Sequence, residues 1–291
     1  MKPRQTRYFH VDVFARRALT GNGLAVFLDT DGWSEQRMHE LTREMRQFES
    51  IFLGAIDSCS ASARIFTLQE ELPFAGHPVL GAAAVLHRVT TPQAQAGSWR
   101  LRLASRSVEV ITQRRGAALF AEMDQGLPIV GPPIATGDAT AVLAALNLSA
   151  RDLVADLPLQ CVSTGLPYLI VPVTAQALAG AAVRGRELEQ HLAAFGARFV
   201  YVLDPHAPEG RTWDNLGEVE DAATGSAAGP AAAYLYHHGR AAESNAISLQ
   251  QGRYAGRASE LQMRLSDGRI FVSGDVWPVI SGVLDLGAEP M

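Results

Sequence analysis

The spacing of apolar residues along the first half of the chain predicts mostly strands, with two helices between them. Alternation with a period of two, or short buried apolar runs, is typical of strands. The predicted strands are residues 8–14, 24–29, 50–56, 63–68, 99–104, 108–112 and 118–123. Ser34 is a suitable N-cap for a helix to about residue 46, in which Met38, Leu41 and Met45 share one stripe. Residues 79–87 predict a second helix, made of small and apolar residues that can be buried on all sides.

Residues 125–137 are rich in Pro and Gly, which predicts a linker between domains. After this segment the second half again contains strands with a few helices between them. Helices are predicted at 139–146, 188–195 and about 231–238, and strands at 169–173, 199–204, 246–249, 261–265 and 269–273. In each half a glycine-containing turn, FAGHP or TGSAAGP, leads into a small-residue helix. We therefore expect two similar α+β domains, each a strand-rich, barrel-like sheet around a central buried helix. The predicted domains are residues 1–127 and 128–291, and a C-terminal strand near 280–291 can return to the first.

Composition and charge narrow the class of protein. The chain has 291 residues, of which 47% are hydrophobic and 19% charged, so it can bury a full core. The formal charge of −5 comes without a basic block, which argues against a nucleic-acid partner. We find no apolar run long enough to span a membrane and no apolar signal core before residue 8, so a cytoplasmic protein is expected. Cys59 and Cys161 are far apart and belong to no paired motif, so neither a disulfide framework nor a metal site is expected.

The two helix starts are candidate anion sites. A helix N-terminus presents unpaired N–H groups and a partial positive charge, which suit a carboxylate or a developing enolate. Gly76 and Gly225 allow close approach of the backbone, and Pro78 suits a first helical turn. Pro230 fits less well if Ser226 is the cap, so the second helix is expected to start nearer to Gly229. Two such domains would place both helix starts at one shared cleft.

Several of these segments resemble the phenazine-biosynthesis PhzF-like family, which has the diaminopimelate-epimerase fold. The specific motifs are ELPFAGHPVLGAA (residues 71–83) and EDAATGSAAGPAAAYL (residues 220–235). The segments DVFARRALTGNGLAVFLD and MRQFESIFL, together with TGLPYLIVPV, QGRYAGRAS and PVISGVLDL, are similar to weaker family motifs. The resemblance extends almost from end to end and implies a homodimer.

The resemblance also implies roles for site residues. Glu49 matches the family's proton-shuttling acid/base, and an apolar setting that raises the pKa of a carboxyl suits that role. His77 would orient polar substituents, and Asp221, rather than its neighbour Glu220, would bind or protonate the substrate. Ser226, with the backbone around Gly76 and Gly225, would hold a carboxylate, although Ser226 could also be a plain N-cap. The residues alone favour a solvent-exposed strand-edge carboxyl for Glu49 and a loop histidine bonded to the backbone for His77.

Some positions depart from the family pattern. The fold relatives that racemise amino acids use one cysteine in each helix-start turn, and here those turns carry Ala75 and Thr224. A two-thiol racemase is therefore not expected. Gly23 and Ala222 stand where the family has proline, as does Ala258, and Trp213 and Asp214 stand where it favours Phe and Pro. These differences bear on the pocket and hence on the substrate.

The expected function is a cofactor-independent isomerase that moves a proton between carbons of a small carboxylate substrate. Its prototype is trans-2,3-dihydro-3-hydroxyanthranilate isomerase. An epimerase or lyase on the same scaffold is one alternative, and a non-catalytic small-molecule binder is another. No cofactor, no metal, no nucleic acid and no membrane are expected as partners, and the substrate is expected to be a small anion.

Overall fold

The computed structural model describes residues 6–104 and 106–285, and these form a mixed α+β fold rich in strands. The strands are β1 Thr6–Val13, β2 Asn22–Phe27, β3 Glu49–Gly54, β4 Ser60–Phe66, β5 Glu71–Leu72, β6 Ala96–Arg102, β7 Ser107–Arg115, β8 Ala118–Gly126, β9 Ile129–Ile134, β10 Leu159–Ser163, β11 Pro167–Pro172, β12 Phe199–Asp204, β13 Glu209–Arg211, β14 Ile247–Gln251, β15 Ser259–Ser266 and β16 Arg269–Leu284. The helices are α1 Glu35–Met45, α2 Gly76–Thr90, α3 Thr140–Ala145, α4 Ala175–Gly180, α5 Leu188–Ala193 and α6 Gly225–His237.

The chain divides into two compact units. The first comprises residues 1–123 and 273–291, and the second comprises residues 124–272. The division falls within β8 and within β16, so each of these strands contributes residues to both units.

In the first unit, the sheet begins where β16 pairs antiparallel with β1, and it continues in the order β1, β2, β3, β4, β6, β7 and β8. Helix α2 packs on one face of this sheet, against β1, β2, β3, β6 and β7. Its residues from Gly76 to His87 are all buried. A Cβ on Gly81 would lie 2.4 Å from Cδ2 of Leu24 and 3.1 Å from Cγ2 of Val13, so glycine permits this close packing of helix on sheet.

The opposite face of the same sheet carries helix α1. Ser34 caps this helix as predicted, since its side chain accepts a hydrogen bond from the backbone N–H of Arg37. Side chains alternate across a strand. Phe27 and Phe52 therefore turn to α1 and stack with ring centroids 4.7 Å apart, while Leu24 and Ile51 face α2. The sequence predicts α1 correctly because its apolar stripe packs on these aromatic rings.

In the second unit, the strand order is β15, β14, β13, β12, β11, β10 and β9. Helices α3 to α5 share a core with one face of β11 and β12, through Leu169, Val171, Val200 and Val202. Helix α6 packs against β10, β11, β12 and β15. Tyr168, next to Leu169 in β11, points to the other face and reaches α6.

The prediction that the second helix starts near Gly229 is wrong. Helix α6 begins at Gly225 and carries Pro230 inside it. A proline there removes the backbone bond to the carbonyl of Ser226, which normally kinks or breaks a helix. Burial from Ala227 to Leu235 stabilises the helix around that missing bond, so packing overrides local propensity.

The prediction that the Pro- and Gly-rich segment 125–137 is a linker is also corrected. It contains the end of β8 and all of β9, which pairs antiparallel with β10. Strand β9 ends the strand order, and Pro132 and Pro133 are tolerated there because an edge strand leaves N–H groups unpaired. The C-terminal strand is longer than predicted, since β16 runs from Arg269 to Leu284, and residues 286–291 lie outside the described part of the chain.

Candidate active site

A buried carboxyl–imidazole pair occupies the first unit. Glu49 is the first residue of β3, opposite Leu24 of the parallel strand β2, and faces α2. His77 is the second residue of α2. Oε2 of Glu49 lies 3.3 Å from Nδ1 of His77, with side chains 8% and 4% exposed. Both residues are therefore held by regular elements rather than by loops, and Glu49 is not an exposed strand-edge group.

The start of α2 explains why His77 is held in this position. Ala75 precedes the helix in an extended conformation and makes no side-chain cap. Pro78 is the third helical residue, where a backbone N–H has no partner within the helix, so its missing hydrogen costs nothing. The N–H groups and positive helix end in this turn favour negative charge beside them, such as the Glu49 carboxylate or a bound anion.

Burial sets the charge of His77. It lowers the pKa of His77 from 6.5 to about 3, so the ring is neutral near neutral pH. Nδ1 lies 3.5 Å from the amide nitrogen of Asn22. An amide NH₂ only donates, so that bond puts the ring hydrogen on Nε2, whereas an ionised Glu49 favours the hydrogen on Nδ1. Among the described residues, Nε2 is buried and has no hydrogen-bond partner. A buried polar atom of this kind suits a ligand contact.

A second polar cluster surrounds Asp221 in the second unit. Asp221 is 6% exposed, and the hydroxyl of Thr224 donates to its Oδ2 at 2.5 Å. The backbone N–H of Ala223 points at Oδ1 from 3.4 Å. Gln251 bonds to the carbonyl of Asp221 and to both the backbone and side chain of Thr224. Burial, followed by the charge of Asp221, raises the pKa of Tyr201 well above its usual value, so its hydroxyl stays protonated and donates to Gln251.

Glu220, the neighbour of Asp221, is fully engaged elsewhere. Its carboxylate accepts two hydrogen bonds from the Arg211 guanidinium, at 2.9 and 2.6 Å. Arg211 also donates to the carbonyls of Leu178 and Ala181 at the end of α4. This bidentate pair has a structural role and ties Glu220 into the fold. Of the two acidic neighbours, Asp221 therefore stays the predicted site residue.

Ser226 is the second residue of α6 and does not cap it. Thr224 holds the N-cap position, and its side chain makes no capping bond. The hydroxyl of Ser226 lies 2.8 Å from that of Tyr168. The carbonyl of Gly225 accepts from Nε2 of Gln125 at 2.8 Å, and Oε1 of Gln125 accepts from Thr164 at 2.8 Å. Buried side chains therefore fix the first turn of α6. The carbonyl of Thr224 accepts from the N–H groups of Ala227 and Ala228, so only the N–H groups of Gly225 and Ser226 lack an acceptor within the helix.

The predicted site residues fall into two groups by unit. Glu49, Gly76 and His77 lie together in the first unit, and Asp221, Gly225 and Ser226 lie together in the second. Sequence reasoning missed Asn22, Tyr168, Tyr201, Gln125 and Gln251. The segments TGNG, TGLPYLIVPV and QGRYAGRAS contain three of them, but an amide or phenol carries no catalytic signature that would single it out.

The positions that depart from the family pattern are partly explained. A Cβ on Gly23 would lie 2.5 Å from Oε1 of Gln47 and 3.2 Å from Nε2 of His10, so these side chains occupy the space beside Gly23. Trp213 is buried under the guanidinium of Arg211, whose carbon is 4.7 Å from the ring centroid. Ala258 is exposed, and nothing in the structure explains its substitution.

Two further observations concern metals and membranes. Among residues 6–104 and 106–285, no group of three or more His, Cys, Asp or Glu side chains is placed to hold a metal ion. No helix in the same residues is long and apolar enough to cross a membrane.

Comparison with known proteins places the chain in a family. The family model described as "Phenazine biosynthesis-like protein" matches residues 11–282. Trans-2,3-dihydro-3-hydroxyanthranilate isomerase from Pseudomonas chlororaphis is 33% identical over 272 residues, which cover 90% of this chain and 91% of that protein.

Solved structures of similar proteins support the same family and fold. A predicted epimerase from Pseudomonas aeruginosa is 49% identical with a TM-score of 0.91, covering 97% of this chain and 99% of that one. A probable proline racemase from Agrobacterium radiobacter, 12% identical with a TM-score of 0.65, shares the fold over 97% of this chain and 93% of its own. The comparisons confirm the predicted family and the isomerase class, and the chain belongs to the phenazine biosynthesis-like (PhzF) family.

Proposed function

We propose that this protein moves a proton between carbons of trans-2,3-dihydro-3-hydroxyanthranilate or a closely similar small carboxylate. The observation that carries the proposal is the buried pair of Glu49 and His77. A buried carboxyl that contacts a neutral imidazole is a suitable general base. The relatives named as isomerases of this compound support the choice of substrate.

In the proposed mechanism Glu49 acts first as base and then as acid. Its carboxylate takes the proton from an sp³ carbon of the ring, and the C–H electrons spread into the neighbouring double bond. The protonated Glu49 then returns the proton to a different carbon, where a new C–H bond forms. Atoms and electrons balance without an electron acceptor, so the mechanism invokes no cofactor.

Neutral His77 would stabilise the charge that develops in this step. An imidazole with a pKa of about 3 carries no charge at neutral pH, so it acts as a hydrogen-bond partner rather than as a cation. The buried Nε2 atom is the part of the ring that would contact the substrate. Its bond to the substrate would strengthen as negative charge accumulates.

We further propose that the Asp221 and Ser226 cluster serves the same substrate. The N–H groups in the first turn of α6, with the hydroxyls of Ser226 and Tyr168, suit a carboxylate. Asp221 would accept a hydrogen bond from a hydroxyl or amino group. Two similar α+β domains around α2 and α6 and a cytoplasmic location stay predictions from the sequence, and a homodimer stays a prediction from the family resemblance.

Epimerisation is the second candidate, because the 49% identical neighbour is named a predicted epimerase. An epimerase returns the proton to the same carbon with inverted configuration, and it needs a second acid/base on the opposite face. The positions where racemases of this fold carry cysteine hold Ala75 and Thr224, neither of which titrates near neutral pH. His77 could form a two-base pair with Glu49, but it lies 3.3 Å from the Glu49 carboxyl rather than across a substrate from it. This favours the isomerase.

The test is turnover of trans-2,3-dihydro-3-hydroxyanthranilate by the purified protein, followed by chromatography and NMR of the product. The proposal expects the double bonds to shift and the migrating hydrogen to occupy a new carbon. Deuterium entering only the original carbon, with inversion, would favour the epimerase. No conversion of the compound by the folded protein would reject this substrate.

A further inference from the structure

Gln251 is a buried amide whose donors and acceptors are used within one turn of the second unit. It is 1% exposed. Its Oε1 atom accepts from the hydroxyl of Tyr201 at 3.0 Å and from the N–H of Thr224 at 3.2 Å. Its Nε2 atom donates to the carbonyl of Asp221 at 2.9 Å and to the hydroxyl oxygen of Thr224 at 2.9 Å. The amide therefore joins β14 to the turn that precedes α6.

Two backbone groups fix which way this amide points. The N–H of Thr224 can only donate, so the atom facing it must be the oxygen of Gln251. The carbonyl of Asp221 can only accept, so the atom facing it must be the nitrogen. A flipped amide would place donor against donor and acceptor against acceptor. The assignment of oxygen and nitrogen therefore follows from the chain itself.

The fixed amide in turn fixes the hydroxyl of Thr224. That oxygen accepts a hydrogen from Nε2 of Gln251, so its own single hydrogen is directed elsewhere. The nearest acceptor is Oδ2 of Asp221, at 2.5 Å. Hydrogen bonds thus run in one direction, from Gln251 to Thr224 and from Thr224 to Asp221.

We propose that Gln251 and Thr224 are positioning residues that keep Asp221 a hydrogen-bond acceptor, so that Asp221 orients a donor group of the substrate and does not protonate it. The identity of that substrate rests on the proposed function. The same bonds occupy the Thr224 hydroxyl, which stands where the racemases of this fold have a cysteine. Thr224 therefore supplies no second acid/base in this turn.

The first test needs no substrate. Thr224→Val removes the hydroxyl with little change of shape, and Thr224→Ser keeps it. Thermal unfolding is measured for Thr224→Val, for Asp221→Ala, which removes the acceptor, and for the double variant. If the hydroxyl donates to the carboxylate, the loss of Tm caused by Thr224→Val should fall by half or more in the Asp221→Ala background. Additive losses of Tm would overturn the proposal.

The second test is kinetic and uses trans-2,3-dihydro-3-hydroxyanthranilate. Thr224→Val should raise KM about tenfold and change kcat less than about threefold, because it removes a bond that orders a binding group. Thr224→Ser should restore the wild-type KM. Thr42→Val is the matched control, since Thr42 is buried in α1 and also donates one hydrogen bond, to the carbonyl of Met38. A wild-type KM for Thr224→Val would overturn the proposal.

The third test reverses the direction of the bonds. Gln251→Glu replaces the donating NH₂ with an acceptor, so the Thr224 hydroxyl should turn from Asp221 toward residue 251. KM should then rise as in Thr224→Val although the hydroxyl is still present, and a wild-type KM in the folded variant would count against the proposal. If wild type does not convert the compound, the proposed function fails, and the thermal cycle alone decides the roles of Gln251 and Thr224.

Discussion

Nδ1 of His77 lies 3.3 Å from Oε2 of Glu49, and the two side chains are almost fully buried. Burial lowers the pKa of His77 to about 3, so the imidazole stays neutral beside the carboxyl. A neutral His77 forms no ion pair with the Glu49 carboxylate, so this imidazole does not hold Glu49 in its charged form.

The neutral state of His77 predicts a specific dependence of stability on pH. In the unfolded chain the ring takes a proton below about pH 6.5, whereas in the fold it does not until about pH 3. The stability that depends on neutral His77 is therefore full above pH 6.5 and is lost as pH falls toward 3. The loss for this one group should be about 1.4 kcal/mol per pH unit within that window.

Replacement by a neutral side chain tests this directly. His77→Asn has no ring to protonate, so its stability relative to wild type should rise as pH falls from 7 to 5. The free energy of unfolding is measured by urea titration at several pH values. Parallel stability curves for variant and wild type would contradict a neutral, buried His77.

The close packing of Gly81 against β2 predicts that a larger residue at this position lowers the free energy of unfolding. An alanine there brings its Cβ to 2.4 Å from Leu24, the residue opposite Glu49. Such overpacking should destabilise the protein by about 1–3 kcal/mol, measured by urea unfolding. Gly180→Ala is the matched control, because this helical glycine has open space around its Cβ and should be neutral or slightly stabilising. Equal effects of the two changes would contradict the packing of α2 on β2.

The Arg211–Glu220 pair predicts a large cost when one partner is removed. Their side chains are 8% and 14% exposed, so Arg211→Met leaves a largely buried carboxylate without its cation. The expected loss is about 3–5 kcal/mol in the free energy of unfolding. Adding Glu220→Gln should recover part of it, because the uncompensated charge is gone. A double variant no more stable than Arg211→Met would show that Arg211 acts through its packing instead.

The hydrogen bond between the hydroxyls of Ser226 and Tyr168 predicts that Ser226 contributes to substrate affinity. Ser226→Ala removes one partner of the bond to Tyr168 and a donor to a bound carboxylate, while the backbone N–H groups remain. KM should rise about five- to tenfold with kcat nearly unchanged. Steady-state kinetics with trans-2,3-dihydro-3-hydroxyanthranilate measure both values. A fall in kcat with an unchanged KM would place Ser226 in the chemical step.

Sequence alone predicted the parts of the fold where local pattern and packing agree. Helix α1 follows from its stripe and from Ser34, and the FAGHP and TGSAAGP turns led to the residues around both helix starts. Prediction failed at β9 and at the start of α6. Pro132 and Pro133 are tolerated in β9 because it is an edge strand, whose N–H groups need no partner. Pro230 is tolerated in α6 because burial stabilises the helix.

Site residues supplied by neutral side chains could not be predicted in the same way. Gln251 lies 27 positions beyond Thr224 and meets it only through the pairing of the second unit's strands. Tyr168 reaches Ser226 because β11 turns that face toward α6. Contacts of this kind depend on tertiary structure, and no spacing in the sequence encodes them.

The central claim is that Glu49 carries the proton, and Glu49→Gln tests it most directly. Glutamine keeps the shape of the side chain but cannot accept a proton, so turnover of trans-2,3-dihydro-3-hydroxyanthranilate should fall by about two to four orders of magnitude. Glu109→Gln, which changes an exposed carboxylate on β7, should behave as wild type. The rate of product formation is measured for all three proteins, with binding of the compound checked by calorimetry. A Glu49→Gln protein that binds the compound and turns it over at a near wild-type rate would contradict the account.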